Sequence, residues 1–192
     1  MPAKRPAPRL ALVNEHHMSE AQRSLLTSLR AGPRGASITP RGPFGAWMHA
    51  PDLGELAQKL GAYCRYGTAL PPRLSEFAIL CTARLWRAQY EWFAHAPMAA
   101  KGGVKPKTIE DLRRGRSPKS APKDERAIHD FIQELYRTRR VSERTYKRVQ
   151  SLLGDKATVE LVGILGYYAL ISMTLNVFQM LPPDSEKLAF PE

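Results

Sequence analysis

The chain has 192 residues, 43% of them hydrophobic, enough for one buried core and too few for a second domain of ordinary size. Its two cysteines, Cys64 and Cys81, form no CxxC and no disulfide framework, and no N-terminal stretch has the layout of a secretory signal, so a cytoplasmic protein with reduced thiols is expected. The net charge of +11 comes with no helix-turn-helix, zinc or RNP pattern, and from residue 101 to 148 its bases alternate with acids, which reads as a solvated face rather than a nucleic-acid site.

Residues 1–18 read as a basic, Pro-rich tail, disordered through Arg9, with a single domain over 19–192. Ser19 and Gln22 form a capping box that opens a first helix to Arg30, its apolar positions Leu25, Leu26 and Leu29 at helical spacing. Arg34 to Ala50 is Gly- and Pro-rich and predicts an ordered loop, pinned to the core by Phe44 and Trp47. A second helix starts at Asp52 and Glu55 and ends at Gly67, with Leu53, Leu56, Leu60 and Tyr63 as its apolar stripe. After Pro71 and Pro72, Leu74, Phe77, Cys81 and Leu85 form a core stripe on a long helical pattern. Further helices are predicted over 108–114, 123–139, 142–153 with Gly154 as C-cap, and 155–180. The stretch from Val159 to Leu181 is apolar, but its uninterrupted run is shorter than a bilayer needs, so it predicts a buried core helix and no membrane partner. No sustained two-residue alternation occurs, and the fold class is all-α, a compact array of about six to eight helices.

The candidate chemistry lies in the third helical pattern. Glu91 and His95 are four residues apart and share a face. If one helix runs through YEWFAH, Glu76 and Arg84 also fall within about a third of its circumference. A carboxylate beside an imidazole suits general acid–base work. Arg84 is placed either on a substrate carboxylate or in an ion pair with Glu76 or Glu91. Tyr167, Tyr168 and Asn176 are the polar members of the closing helix and candidate pocket residues, whereas Trp92 points away and reads as packing or a subunit contact. His16, His17, His49 and His129 have no spacing that builds a metal site with His95, and no metal is expected.

The string RLSEFAILCTARLWRAQYEWFAHAPMAAKGGVKPKTIEDLRRG resembles the central signature of carboxymuconolactone decarboxylase-like proteins, which include the alkylhydroperoxidase D group. GPFGAWMHAPDLGELAQKLG and LVGILGYYALISMTLNVF extend the similarity over about Gly42 to Leu181. In the peroxidase branch, a CxxC is followed four residues after its second Cys by a His, with a Glu nineteen residues before that His. Glu76 and His95 keep this spacing, but Ala88 and Glu91 stand at the two thiol positions. The resemblance therefore implies the decarboxylase branch: a cofactor-free lyase acting on a small carboxylated lactone or oxo acid. His95 would be the proton donor, Glu91 its charge partner and Glu76 a relay. It also implies a homo-oligomer, either dimer, trimer or hexamer. The alternatives are an alkylhydroperoxidase-type antioxidant protein and a non-catalytic small-molecule binding protein.

Overall fold

The computed structural model describes residues 5–191 as eight α-helices with no strand among them. They are α1 (Glu20–Ala31), α2 (Pro43–Trp47), α3 (Pro51–Tyr66), α4 (Pro72–Leu85), α5 (Gln89–Gly102), α6 (Pro106–Arg113), α7 (Lys123–Thr138) and α8 (Glu143–Val177). The capping box forms as read: Ser19 accepts from the Gln22 backbone while the Gln22 side chain accepts from Ser19 N–H.

Helix α4 is the axis of the molecule. Every residue from Leu74 to Ala83 is buried, because α5, α7 and α8 pack around it. The expected single helix through YEWFAH does not form. The chain ends α4 at Trp86, passes through Arg87 in the left-handed region (φ 51°), and restarts as α5 from Ala88. No glycine or proline marks this reversal in the sequence, which is why periodicity read across it.

On α3 the predicted apolar stripe faces outward. Leu53, Leu56, Leu60 and Tyr63 are exposed, and the buried face is Gly54, Ala57, Gln58, Gly61 and Cys64. The cause is close approach: a Cβ on Gly61 would lie 2.0 Å from the Tyr167 hydroxyl of α8. Small residues let the two helices meet where leucines would hold them apart.

The expected loop over 34–50 contains the short α2, started by Pro43 at its first turn. Trp47 is buried, with Phe44 edge-on to it at 5.8 Å. Residues 1–4 of the expected tail lie outside the described residues. From Arg5 onward the tail is tied down rather than disordered: Arg5 donates to the Pro183 carbonyl at 2.9 Å, and Arg9 N–H donates to the Phe178 carbonyl at 3.0 Å. Helix α8 is capped by Ser142 and broken at Gly154 (φ 77°), where the sequence placed a helix end. By length and composition it could cross a membrane, but 61% of its most apolar stretch is buried, and it packs along α4 and α7 as a core helix.

Candidate active site

The α4–α5 reversal builds the site. Glu76 projects from the middle of α4, and Glu91 and His95 from successive turns of α5 folded back against it. All three side chains are buried. The His95 imidazole lies between the two carboxylates, with Nδ1 2.7 Å from Glu76 Oε2 and Nε2 3.0 Å from Glu91 Oε1. Burial opposes a charge on the ring. The Glu91 and Glu76 carboxylates outweigh it and lift the His95 pKa to about 9, so His95 is an imidazolium at neutral pH. Arg65 Nε stands 3.9 Å from the other Glu76 oxygen, so Arg65, Glu76, His95 and Glu91 alternate in charge and sum to zero.

Glu91 and His95 open onto a cavity of about 340 Å³. Tyr167 and Tyr168 of α8 line it. Tyr168 meets the His95 ring edge-on at 5.1 Å, and Tyr167 meets Tyr168 in the same way at 5.2 Å. Burial pushes both phenol pKa values up, so both stay neutral hydrogen-bonding groups. Glu76 does not reach the cavity wall and acts behind His95.

Two assigned residues lie elsewhere. Arg84 pairs with neither Glu76 nor Glu91: it stands eight residues, about 12 Å, further along α4 than Glu76, and the chain reversal places Glu91 on α5. Its Nε donates to the Arg113 carbonyl at 3.0 Å and its guanidinium lies 5.0 Å over the Phe190 ring. Asn176 donates to the Trp86 carbonyl at 2.7 Å, capping the exposed end of α4, and lines no part of this cavity. Trp92 is packing: it is buried edge-on against Phe190 at 5.1 Å.

Three arginines that the sequence reading did not single out line the same cavity: Arg34 and Arg41 from the segment before α2, and Arg65 from α3. Arg34 is held by the Gln58 carbonyl at 3.2 Å and by the Phe44 ring, 5.1 Å from its guanidinium. The signal for Arg34 and Arg41 was the positive charge of an otherwise irregular segment, which has no period to say where it points.

No family model and no curated protein sequence matches this chain. A solved structure does. It is described as an alkylhydroperoxidase AhpD core, an uncharacterized peroxidase-related protein from Ralstonia eutropha JMP134. The similarity has a TM-score of 0.74 at 16% identity and covers 95% of each chain. The chain has the AhpD-core fold. Within that fold, the two positions that the sequence resemblance assigns to thiols are occupied by Ala88, fully buried at the N-cap of α5, and by the site carboxylate Glu91. The cysteines lie elsewhere, Cys64 on α3 and Cys81 on α4, both buried. Burial raises the Cys64 thiol to about 11 and pushes Cys81 higher still. Neither offers a thiolate at neutral pH.

Proposed function

We propose that the protein is a cofactor-free lyase that decarboxylates, or carries out related proton transfer on, a small carboxylated lactone or oxo acid. The observation that carries this reading is the buried imidazole of His95, held between two carboxylates and opening with Glu91 onto an arginine-lined cavity. Arg34 and Arg41 draw in the substrate anion and pair with its carboxylate. The bond from carbon to the leaving carboxylate breaks, carbon dioxide departs, and the electron pair passes into the conjugated carbonyl as an enolate. Arg65 lines the cavity beside Glu76 and supplies positive charge for that oxygen. One proton then reaches carbon. His95 Nε2–H is directed at Glu91 Oε1, so the proton moves from the imidazolium through Glu91 to the substrate, and solvent restores it. Glu76 holds Nδ1–H throughout and keeps the ring oriented.

The alternative redox reading requires a nucleophilic and a resolving thiol, and the positions that would carry them are Ala88 and Glu91. A purely structural or binding role is disfavoured by the convergence of His95 and Glu91 on one concave wall. A screen of carboxylated lactones and 3-oxo acids for carbon dioxide release tests the lyase reading. Release from one such class, at least tenfold weaker in KM for Arg41→Gln, supports it; turnover of a hydroperoxide with a dithiol donor in place of any carbon dioxide release overturns it. The same reading makes both cysteines spectators. Cys64→Ala and Cys81→Ala are expected to keep full turnover while losing about 1–3 kcal/mol of stability each, read by chemical denaturation.

A second copy of this chain is the proposed occupant of the outward apolar face of α3. Leu56 on that face is 71% exposed, as is Val159 on neighbouring α8. Exposed apolar helix faces of this kind mark association sites. Light scattering at micromolar concentration is expected to give a multiple of 21.5 kDa, reduced to that mass by Leu56→Arg with Leu60→Glu. A wild-type monomer contradicts this.

A further inference from the structure

A second cavity, of about 370 Å³, shares no residue with the first and lies between α4, the turn after α6, and α7. Its polar wall consists of Arg84, Arg116, Ser117, His129 and Gln133, and no carboxylate of the described residues lines it. Of the two acids of nearby α6, Glu110 is already held by Arg113, at 2.7 Å, and by Arg114, and Asp111 by Lys107 at 2.6 Å. Asp130 lies beside His129, 3.5 Å from its Nδ1, and is itself paired with Arg148 at 2.6 Å. The two arginines of the cavity are therefore left without an anionic partner among the described residues.

Arg84 is also fixed in place. Its Nε is used by the Arg113 carbonyl and its flat face by Phe190, which leaves the N–H groups of Nη1 and Nη2 for a ligand. The α6 turn is shaped around it: Gly115 sits at φ 69°, and a Cβ there would lie 2.7 Å from Arg84 Nη2. That turn is locked by backbone bonds from Gly115 to Leu112 and from Arg116 to Asp111, both 2.8 Å. The rigid turn carries Arg116 and Ser117 to the same opening. Two guanidinium groups, a hydroxyl, an imidazole and an amide approach from three elements. This matches a tetrahedral, multiply charged oxyanion better than a planar monocarboxylate, which one guanidinium would satisfy.

We propose that this second cavity binds a phosphate dianion, either free or as the phosphoryl group of a small metabolite. The site stands independently of the lyase chemistry, since it uses none of the residues around His95. Isothermal calorimetry at pH 7.5 and fixed ionic strength, with inorganic phosphate as probe and acetate and chloride as comparison ions, tests it. The expected result is saturable one-site phosphate binding, weakened at least tenfold in Arg116→Gln and in Arg84→Met, and unchanged in Arg41→Gln, which alters only the first cavity. Glucose 6-phosphate competing with inorganic phosphate assigns the site to a phosphorylated metabolite; no competition assigns it to the free ion. Arg84→Met removes a packing contact and can unfold the protein, so the exposed Arg116→Gln decides. Absence of saturable phosphate heat, equal affinity in Arg116→Gln, loss in Arg41→Gln, or acetate binding as tightly as phosphate would each overturn the proposal.

Discussion

His95→Ala is expected to lose about a hundredfold or more in turnover, because removing a general acid commonly costs that much, while helical circular dichroism stays that of the parent. Among the described residues the imidazole is the only group that touches both carboxylates, at 2.7 Å to Glu76 and 3.0 Å to Glu91. Its removal leaves two buried acids facing each other and no proton held between them. Glu91→Gln keeps the shape and one hydrogen bond but gives up the charge that most favours the imidazolium. Its loss is smaller, and its activity optimum moves to lower pH, where the ring can still be charged. The losses of the double variant fall well short of the product of the single losses, since a proton passed through both residues fails once either is removed. Multiplicative losses in a double-mutant cycle would separate the two residues and reduce the pair to a structural contact.

Stability against pH carries the second large effect. The folded-state pKa of His95, about 9, lies above its ordinary value of 6.5. The folded protein therefore holds a proton that the unfolded chain releases first. The stabilisation is complete below pH 6.5 and is lost as pH rises through 9; fully developed, it is on the order of 3 kcal/mol. Denaturation midpoints are expected to fall over that window in the wild-type protein and to fall much less in His95→Gln, which has nothing to release there. Parallel profiles for the two proteins would show that His95 is uncharged when folded and would remove the proton source from the mechanism.

The sequence made the helices legible where local chemistry marks their ends. Ser19 with Gln22, the Pro71–Pro72 pair, Ser142 and Gly154 each sit where a helix starts or breaks. It misled where periodicity identifies an amphipathic face without saying which face is the core. The leucines of α3 lie outside because Gly54, Ala57 and Gly61 allow a closer helix contact than leucines would. Glu76, Glu91 and His95 converge, but across a two-helix reversal instead of along one helix. Their spacing alone could not reveal it, since the turn uses a left-handed Arg87 rather than a glycine. Arg84 shares an angular sector of α4 with Glu76 but stands about 12 Å further along it and turns to Arg113, while Arg34 and Arg41 entered from a segment with no period to read. Charge partners set by tertiary contact are the part of a site that single-sequence reasoning reaches last.

The measurement that bears most directly on the chemistry is solvent-proton incorporation. With the carboxylated substrate class found by the screen, turnover in D2O is expected to release one carbon dioxide per product and to place one solvent deuterium on the carbon that lost it. Both signals should fall together in His95→Ala. Carbon dioxide release at the wild-type rate in His95→Ala, or product formed without solvent deuterium, would contradict a proton delivered from His95 through Glu91.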